Sequence, residues 1–311
     1  MSLLTEPVTP ANLDLFVRYC REHGAEHDSS YLPESGFHLT PEQPSYLLWS
    51  SRTLIGAASL LLIPRYAGQG VGRFAILHST LAAAEAYARL LAAIQPHAAG
   101  VRKLSLFLPD TRTQTAGFLQ GLGFTVERYS YVLRRAPAET IAVTWPEGAT
   151  LEAVGPDDPI GAGQVADCIN ESFARLAGHA PLTGDDIRAS FGEEGYLEGG
   201  ILLLKQDGRP IGTMTVMREW EDPGTAEIVT LGVVPARQGG GLGRRLLRHG
   251  VDLAARRDFH SVALAVNAEN ESALRLYLSE GFQPIKTMVC YAMQLDRGAV
   301  LGSAGAQTQP D

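Results

Sequence analysis

Gln238-Gly239-Gly240-Gly241-Leu242-Gly243 stands between the apolar run Ile228 to Val234 and the helix-forming Arg244-Arg245-Leu246-Leu247-Arg248. A strand that passes through a glycine turn into a helix leaves several backbone N–H groups unpaired at the helix's positive end, where together they can hold a pyrophosphate. The stretch therefore predicts a phosphate-bearing cofactor, and the glycine spacing decides which. The phosphate loop of nucleotide hydrolases requires Gly-x-x-x-x-Gly-Lys-Ser/Thr, and no lysine follows any glycine in the chain. The dinucleotide fingerprint Gly-x-Gly-x-x-Gly/Ala fails as well, because its third position holds Arg244 counted from Gly239 and Leu246 counted from Gly241. What remains is Gln/Arg-x-x-Gly-x-Gly/Ala, filled by Gln238, Gly241 and Gly243.

A second motif lies downstream: Asn270-Glu271-Ser272-Ala273-Leu274-Arg275-Leu276-Tyr277, then Glu280-Gly281-Phe282. Ala273, Leu276, Tyr277 and Phe282 make the apolar face of a short helix that ends near Gly281, with Asn270 placed to cap its start. The two motifs in this order resemble the GCN5-related N-acetyltransferases. Their coenzyme A loop has the first spacing after a strand ending in a Val-Val-Pro-like tripeptide, here Val233-Val234-Pro235, and their second signature is Asn-x-x-Ala-x-x-Leu-Tyr with Gly-Phe shortly after. The resemblance implies an α/β (α+β) domain, a mixed, mostly antiparallel twisted sheet flanked by helices, that uses acetyl-CoA. It assigns Gln238, Gly239, Gly240, Gly241, Leu242, Gly243 and Arg244 to the cofactor, with Asn270 and Tyr277 beside it.

At 311 residues the chain exceeds one typical domain of roughly 100–200 residues, which predicts two. No run approaches the ~18 apolar residues of a membrane span and the N-terminus carries no basic-then-apolar signal, so a cytoplasmic protein is expected. Cys20, Cys168 and Cys290 are odd in number and widely spaced, so neither a disulfide framework nor a metal site is expected. A formal charge of −8 argues against nucleic-acid partners. Arg237, Arg244, Arg245 and Arg248 are a local exception, read either as a solvated helix face or, for Arg237 and Arg244, as counter-charge to the phosphates. Monomer and homodimer both stay open.

The two halves follow one plan. In the second, a strand near Thr150–Val154 precedes helices at Gly163–Leu176 and Asp185–Phe191, the latter opened by the Thr183/Asp186 capping pair. Strands Gly200–Lys205 and Pro210–Arg218 pair through Asp207-Gly208, and Asp222-Pro223-Gly224 leads into the strand Ala226–Val234. In the first half, a helix Asn12–His23 is followed by strands Ser45–Ser50, Leu54–Ile63 and Arg73–His78, a helix Leu81–Ile94, and strands Lys103–Leu108 and Val126–Leu133. His78 to Gly123 spans 45 residues and Pro235 to Gly281 spans 46, as a duplicated domain would. At the chemistry-bearing places the copies differ: Leu119 replaces Tyr277, Arg112 replaces Asn270, and Ser79–Ala86 has no glycine. Gly68-Gln69-Gly70-Val71-Gly72 imitates the cofactor loop but precedes a strand, so it reads as a hairpin turn. The expected division is a degenerate domain 1–136, a linker 137–148 in which Ile141–Trp145 could add a strand, a catalytic domain 149–297 and a disordered tail 298–311. In this layout the chain resembles mycothiol synthase, which acetylates a cysteinyl-sugar amine.

Acetyl transfer to an amine needs an unprotonated nucleophile, a polarised thioester carbonyl and a proton for the leaving thiolate. The resemblance implies that Ile228–Val234 parts from the next strand, His260–Val266, so that N–H groups near Leu231 and Val233 face pantetheine and the thioester oxygen. Tyr277 is then the general acid. Glu227, within Ala226-Glu227-Ile228-Val229, is the general base, and simple alternation puts it on one face with Val229 and Leu231. Glu219, Glu221 and Asp222 read as solvated loop charges, one of which could orient a cationic amine. The expected acceptor is a primary amine of a small molecule or peptide. The alternative from another class is a non-catalytic coenzyme A-binding regulator, which would need the loop but not Tyr277.

Overall fold

The computed structural model describes residues 2–295 except 29–30, 35, 137–142, 177–178 and 221. In the first half β1 (Leu3–Pro7), α1 (Leu13–His23), β2 (Ser45–Ser50), β3 (Thr53–Leu61), α2 (Pro64–Ala67), β4 (Val71–Ser79), α3 (Ala84–Ile94), β5 (Lys103–Pro109), α4 (Thr113–Gly121) and β6 (Thr125–Arg135) follow one another. The second half repeats the order with β7 (Ala149–Ala153), α5 (Pro159–Phe173), α6 (Gly184–Ala189), β8 (Ile201–Gln206), β9 (Arg209–Arg218), β10 (Thr225–Val233), α7 (Leu242–Arg256), β11 (Ser261–Asn267), α8 (Glu271–Ser279) and β12 (Gln283–Gln294).

Local chemistry sets the boundaries. Helix α5 begins four residues before the expected Gly163, because Asp158 accepts from the Gly161 N–H and Pro159 occupies the first turn, where its missing N–H costs nothing. At α6 both bonds of the capping box form between Thr183 and Asp186. Asp207 and Gly208 take φ of 50° and 76°, the left-handed pair that a two-residue hairpin needs to match strand twist. Gly68–Gly70 closes a short helical turn that feeds β4, and β3 and β4 run antiparallel, so the imitation loop is a hairpin connection. Val143–Trp145 carries no strand, while Ile141, Ala142 and the 298–311 tail lie outside the described residues.

Among the described residues all strands join one twelve-stranded sheet in the order β1-β2-β3-β4-β5-β12-β6-β11-β10-β9-β8-β7. Only β4–β5 and β10–β11 are parallel. The order corrects the expectation that Val126–Leu133 closes its own half: β6 pairs with β11 of the second half, and β12 pairs with β5 of the first. The two exchanged strands meet each other at the centre. The cores follow the exchange. Leu133 of β6 packs with Val262, Leu264 and Phe282, while Val289, Tyr291 and Met293 of β12 pack with Leu104, Leu106 and Phe124.

Candidate active site

The site grows from one irregularity in β10. β10 and β11 are paired from Thr225↔Ser261 to Ile228↔Leu264 and then part. At that point Ile228 faces Val216 of β9 while Thr230 faces Thr215, so Val229 is a one-residue bulge. A bulge bends its strand and increases the twist, which turns the rest of β10 away from β11. Val229, 52% exposed, marks the lip of the fork. Past it β10 keeps β9 as its neighbour as far as Val233. The Val234 N–H donates to the Ile211 carbonyl at 3.1 Å. N–H directions alternate along a strand, so Gly232 and Thr230 turn theirs to β9, and Leu231 and Val233 turn theirs into the fork. These are the two residues expected there from the sequence.

The glycine loop closes the far end of the fork. Gly239 and Gly241 have φ of 82° and 75°, which side-chain-bearing residues adopt only at a cost. A Cβ on Gly239 would meet nothing within 4 Å, and one on Gly240 only the Arg237 carbonyl at 3.9 Å, so the outer side of the loop is open. Gln238 Nε2 donates to the Val233 carbonyl at 2.9 Å and ties the loop back to the strand end. Behind it α7, from Leu242, buries Leu242, Leu246, Leu247, Gly250, Val251 and Ala254 and aims its N-terminal N–H groups at the loop. An open glycine cradle at the start of a 15-residue helix fits the pyrophosphate of acetyl-CoA.

The arginines divide. Arg244 and Arg248 both reach Glu280, at 2.5 and 2.8 Å. Burial alone would raise that carboxyl, but the hydrogen bonds and charges of Arg248 and Arg244 hold it below its usual value. Arg245 donates to the Gly240 and Thr144 carbonyls, both at 3.0 Å, bracing the loop. Arg237 is exposed, with no ion-pair partner among the described residues. The positive charge expected of Arg237 and Arg244 together is therefore more available on Arg237. Glu280 was not singled out from sequence, although it precedes the Gly-Phe pair directly.

Helix α8 brings the second motif to the same place. Asn270 Oδ1 accepts from the Ala273 N–H at 3.3 Å and caps the helix. A Cβ on Gly243 would lie 3.7 Å from Leu276 and 3.9 Å from Leu231, so the loop helix, α8 and the fork strand converge there. Tyr277 is 7% exposed and its ring tilts against Phe282 at 6.1 Å. Burial pushes its hydroxyl up to about 12, which keeps the phenol protonated throughout the working range. It also makes the phenol a weaker acid than an exposed tyrosine, better suited to donating a hydrogen bond to a developing thiolate than to surrendering its proton outright.

The bulge also corrects the position of Glu227. Alternation alone put Glu227, Val229 and Leu231 on one face. The extra residue shifts the phase, so Ile228 and Leu231 share the face toward α7, where Ile228 Cδ1 would lie 3.1 Å from a Cβ on Gly250. Glu227 shares the opposite face with Thr230 and Gly232, toward α5, whose Ser172 Oγ would lie 2.9 Å from a Cβ on Gly232. Glu227 and the α7–α8 motifs therefore flank the fork from opposite sides of the sheet. On the Glu227 face the row continues through Ala263 to Arg134 of the exchanged strand β6. Arg134 reaches Glu219 at 2.8 Å and Asp222 at 3.3 Å. Glu219 and Asp222 are thus paired rather than simply solvated loop charges, while Glu221 lies outside the described residues. Arg134 could not be placed here from sequence, because only the strand exchange carries it into the second half.

Comparison with known proteins places these features in one context. The family model described as "Acetyltransferase (GNAT) family" matches residues 170–282, which span the fork, the loop and α8. The mycothiol acetyltransferase of Streptomyces scabiei (strain 87.22) is 30% identical over 241 residues, covering 76% of this chain and 70% of that one. Among solved structures, a GCN5-related N-acetyltransferase from Sphaerobacter thermophilus superposes with a TM-score of 0.67 at 18% identity, covering 94% and 95% of the two chains. A tandem GNAT protein from the clavulanic acid biosynthesis pathway also gives 0.67, at 17% identity, covering 94% and 98%.

Proposed function

The chain belongs to the GNAT family of acetyltransferases, and from that membership we propose that it acetylates a small monoamine that enters the fork from the α5 face, the cysteinyl amine of a mycothiol precursor being the first candidate. Transfer of acetyl from acetyl-CoA to an amine is the activity of the family, and the chain's relatives carry acetyltransferase names. The observation that carries the reading of the site is the fork at Val229, with the Leu231 and Val233 N–H groups turned into it. Unpaired buried donors are costly unless something accepts from them, so a parted strand edge is a preorganised binding surface.

Acetyl-CoA supplies the activated acyl group. The chain's residues do the rest. The Gly239–Gly243 loop and α7 hold the pyrophosphate, with Arg237 adding charge. The Leu231 and Val233 N–H groups hold the pantetheine arm and the thioester oxygen. Glu227, from the α5 face, would take a proton through water from the acceptor's ammonium, leaving the neutral amine as the nucleophile, and Tyr277, from the α7 face, would hydrogen-bond the thioester sulfur as it leaves. Arg134 engages Glu219 and Asp222. That pairing leaves less free negative charge at the fork than a polyamine would require, which favours an acceptor with a single ammonium group.

The test incubates full-length protein and acetyl-CoA with a cysteinyl amino sugar, lysine peptides, polyamines and aminoglycosides. Products are read by mass spectrometry, because the cysteinyl acceptor carries its own thiol and would mask thiol release. The cysteinyl amine is expected to gain one acetyl group faster than the others. Acetylation of polyamines or peptides with none of the cysteinyl sugar would overturn the acceptor assignment, and no acetylated product at all would favour the coenzyme A-binding regulator.

A further inference from the structure

The first half has a strand fork of its own, furnished differently. β4 and β5 are paired from Val71↔Lys103 to Arg73↔Ser105 and then part. Near the end of β4 stands His78, facing His23 at the end of α1 and Glu26 in the turn that follows. Glu26 Oε1 lies 3.2 Å from His23 Nδ1, and Glu26 Oε2 lies 3.3 Å from His78 Nε2. One donor atom from each of the three residues falls within 4.8 Å of the others.

Hydrogen bonding anchors the His78 ring. The Tyr19 hydroxyl lies 3.0 Å from the Ile55 carbonyl and 2.8 Å from His78 Nδ1. The Tyr19 hydroxyl thus anchors the ring at Nδ1 and leaves Nε2 directed at Glu26. With the ring proton on Nδ1, Nε2, 3.3 Å from Glu26 Oε2, can ligate an ion. His78 is 5% exposed and the Glu26 side chain 26%, so the cluster lies just beneath the surface. Bonds of ~2.0 Å in a tetrahedron put neighbouring ligand atoms about 3.3 Å apart, so a bound ion would draw the three donor atoms, now within 4.8 Å of one another, closer together. Arg112 Nη1 holds Glu26 Oε2 from behind at 2.7 Å, as the carboxylate ligands of metal sites are held. Ala25, next to Glu26, and Arg112, its ion-pair partner, line a neighbouring cavity of ≈ 410 Å³.

We propose that His23, Glu26 and His78 form a binding site for a divalent first-row transition-metal ion, with zinc the best match to two imidazoles and one carboxylate. None of Cys20, Cys168 and Cys290 belongs to the cluster. The sequence hid this cluster because no local spacing unites a helix end, a turn and a distant strand.

Tag-free full-length protein, stripped with a chelator and dialysed, would be titrated calorimetrically with Zn²⁺ and analysed for bound metal after gel filtration. One Zn²⁺ per chain is expected. His23→Ala and Glu26→Gln should each weaken binding at least tenfold while leaving the metal-free circular dichroism spectrum and melting temperature at the parent's values; the His23 side chain, 21% exposed, should tolerate removal. Failure of the parent to take up stoichiometric Zn²⁺ or Co²⁺ would overturn the proposal. Uptake undiminished in both variants would do the same.

Discussion

One extra residue at Val229 separates a regular parallel pair from a fork, and it reverses the face on which Glu227 stands. The sequence made Glu227 visible as a carboxylate beside the cofactor loop, but a bulge depends on how two strands align, and no local pattern announces it. The proposed role of Glu227 is to deprotonate an incoming ammonium from the α5 face. Glu227→Gln should therefore slow turnover most at low pH, where the amine is mostly protonated, with the deficit shrinking toward the acceptor's own pKa. A pH–rate profile parallel to the parent's at every pH would remove Glu227 from the mechanism. Tyr277 was legible from its motif, and burial was not. With its hydroxyl pushed up to about 12, Tyr277→Phe should lower kcat toward the ~10²-fold end of general-acid effects while acetyl-CoA affinity stays within about twofold. Turnover within twofold of the parent would mean that the ring only packs against Phe282.

Elements with local causes were readable: Asn270 caps α8, Thr183 and Asp186 box α6, and Asp207-Gly208 turns the β8–β9 hairpin. The start of α5 was missed because its signal, Asp158-Pro159, precedes the apolar periodicity that drew attention to the helix. Strands β1 and β12 were not foreseen, and neither was the passage of β6 into the second half, since strand pairing is decided by partners far away in sequence. The consequence for function lies in β6, which brings Arg134 to Glu219 and Asp222. Arg134→Ala should remove one ion pair from Glu219 and from Asp222, add net negative charge beside the fork, and lower the KM of an ammonium acceptor about fivefold, the equivalent of ~1 kcal/mol for a partly exposed pair. Acetyl-CoA affinity should hold, because the α7 loop lies on the other face. Steady-state kinetics in each substrate separately checks this split, and an effect on acetyl-CoA equal to that on the acceptor would place Arg134 in a general structural role.

At the scale of the whole molecule, the matched 45- and 46-residue spacings revealed the duplication, and the exchange of β6 and β12 turns the two copies into one continuous sheet. Neither copy completes its own core, since Leu133 fills the second half's core and Val289, Tyr291 and Met293 fill the first's. Residues 1–136 and 149–297 made separately should therefore fold poorly and recover structure on mixing; two independently folded fragments by circular dichroism and gel filtration would contradict the exchange. Within this assembly the central claim is that acetyl-CoA is held by the second half's fork and glycine loop. Calorimetric titration of acetyl-CoA into the parent and Gly241→Asp proteins tests it most directly. Gly241 has φ of 75°, and aspartate there adds a side chain and a negative charge at the pyrophosphate position. The parent should bind one acetyl-CoA per chain and Gly241→Asp none, whereas two equivalent sites in the parent, or undiminished binding by the variant, would contradict the account.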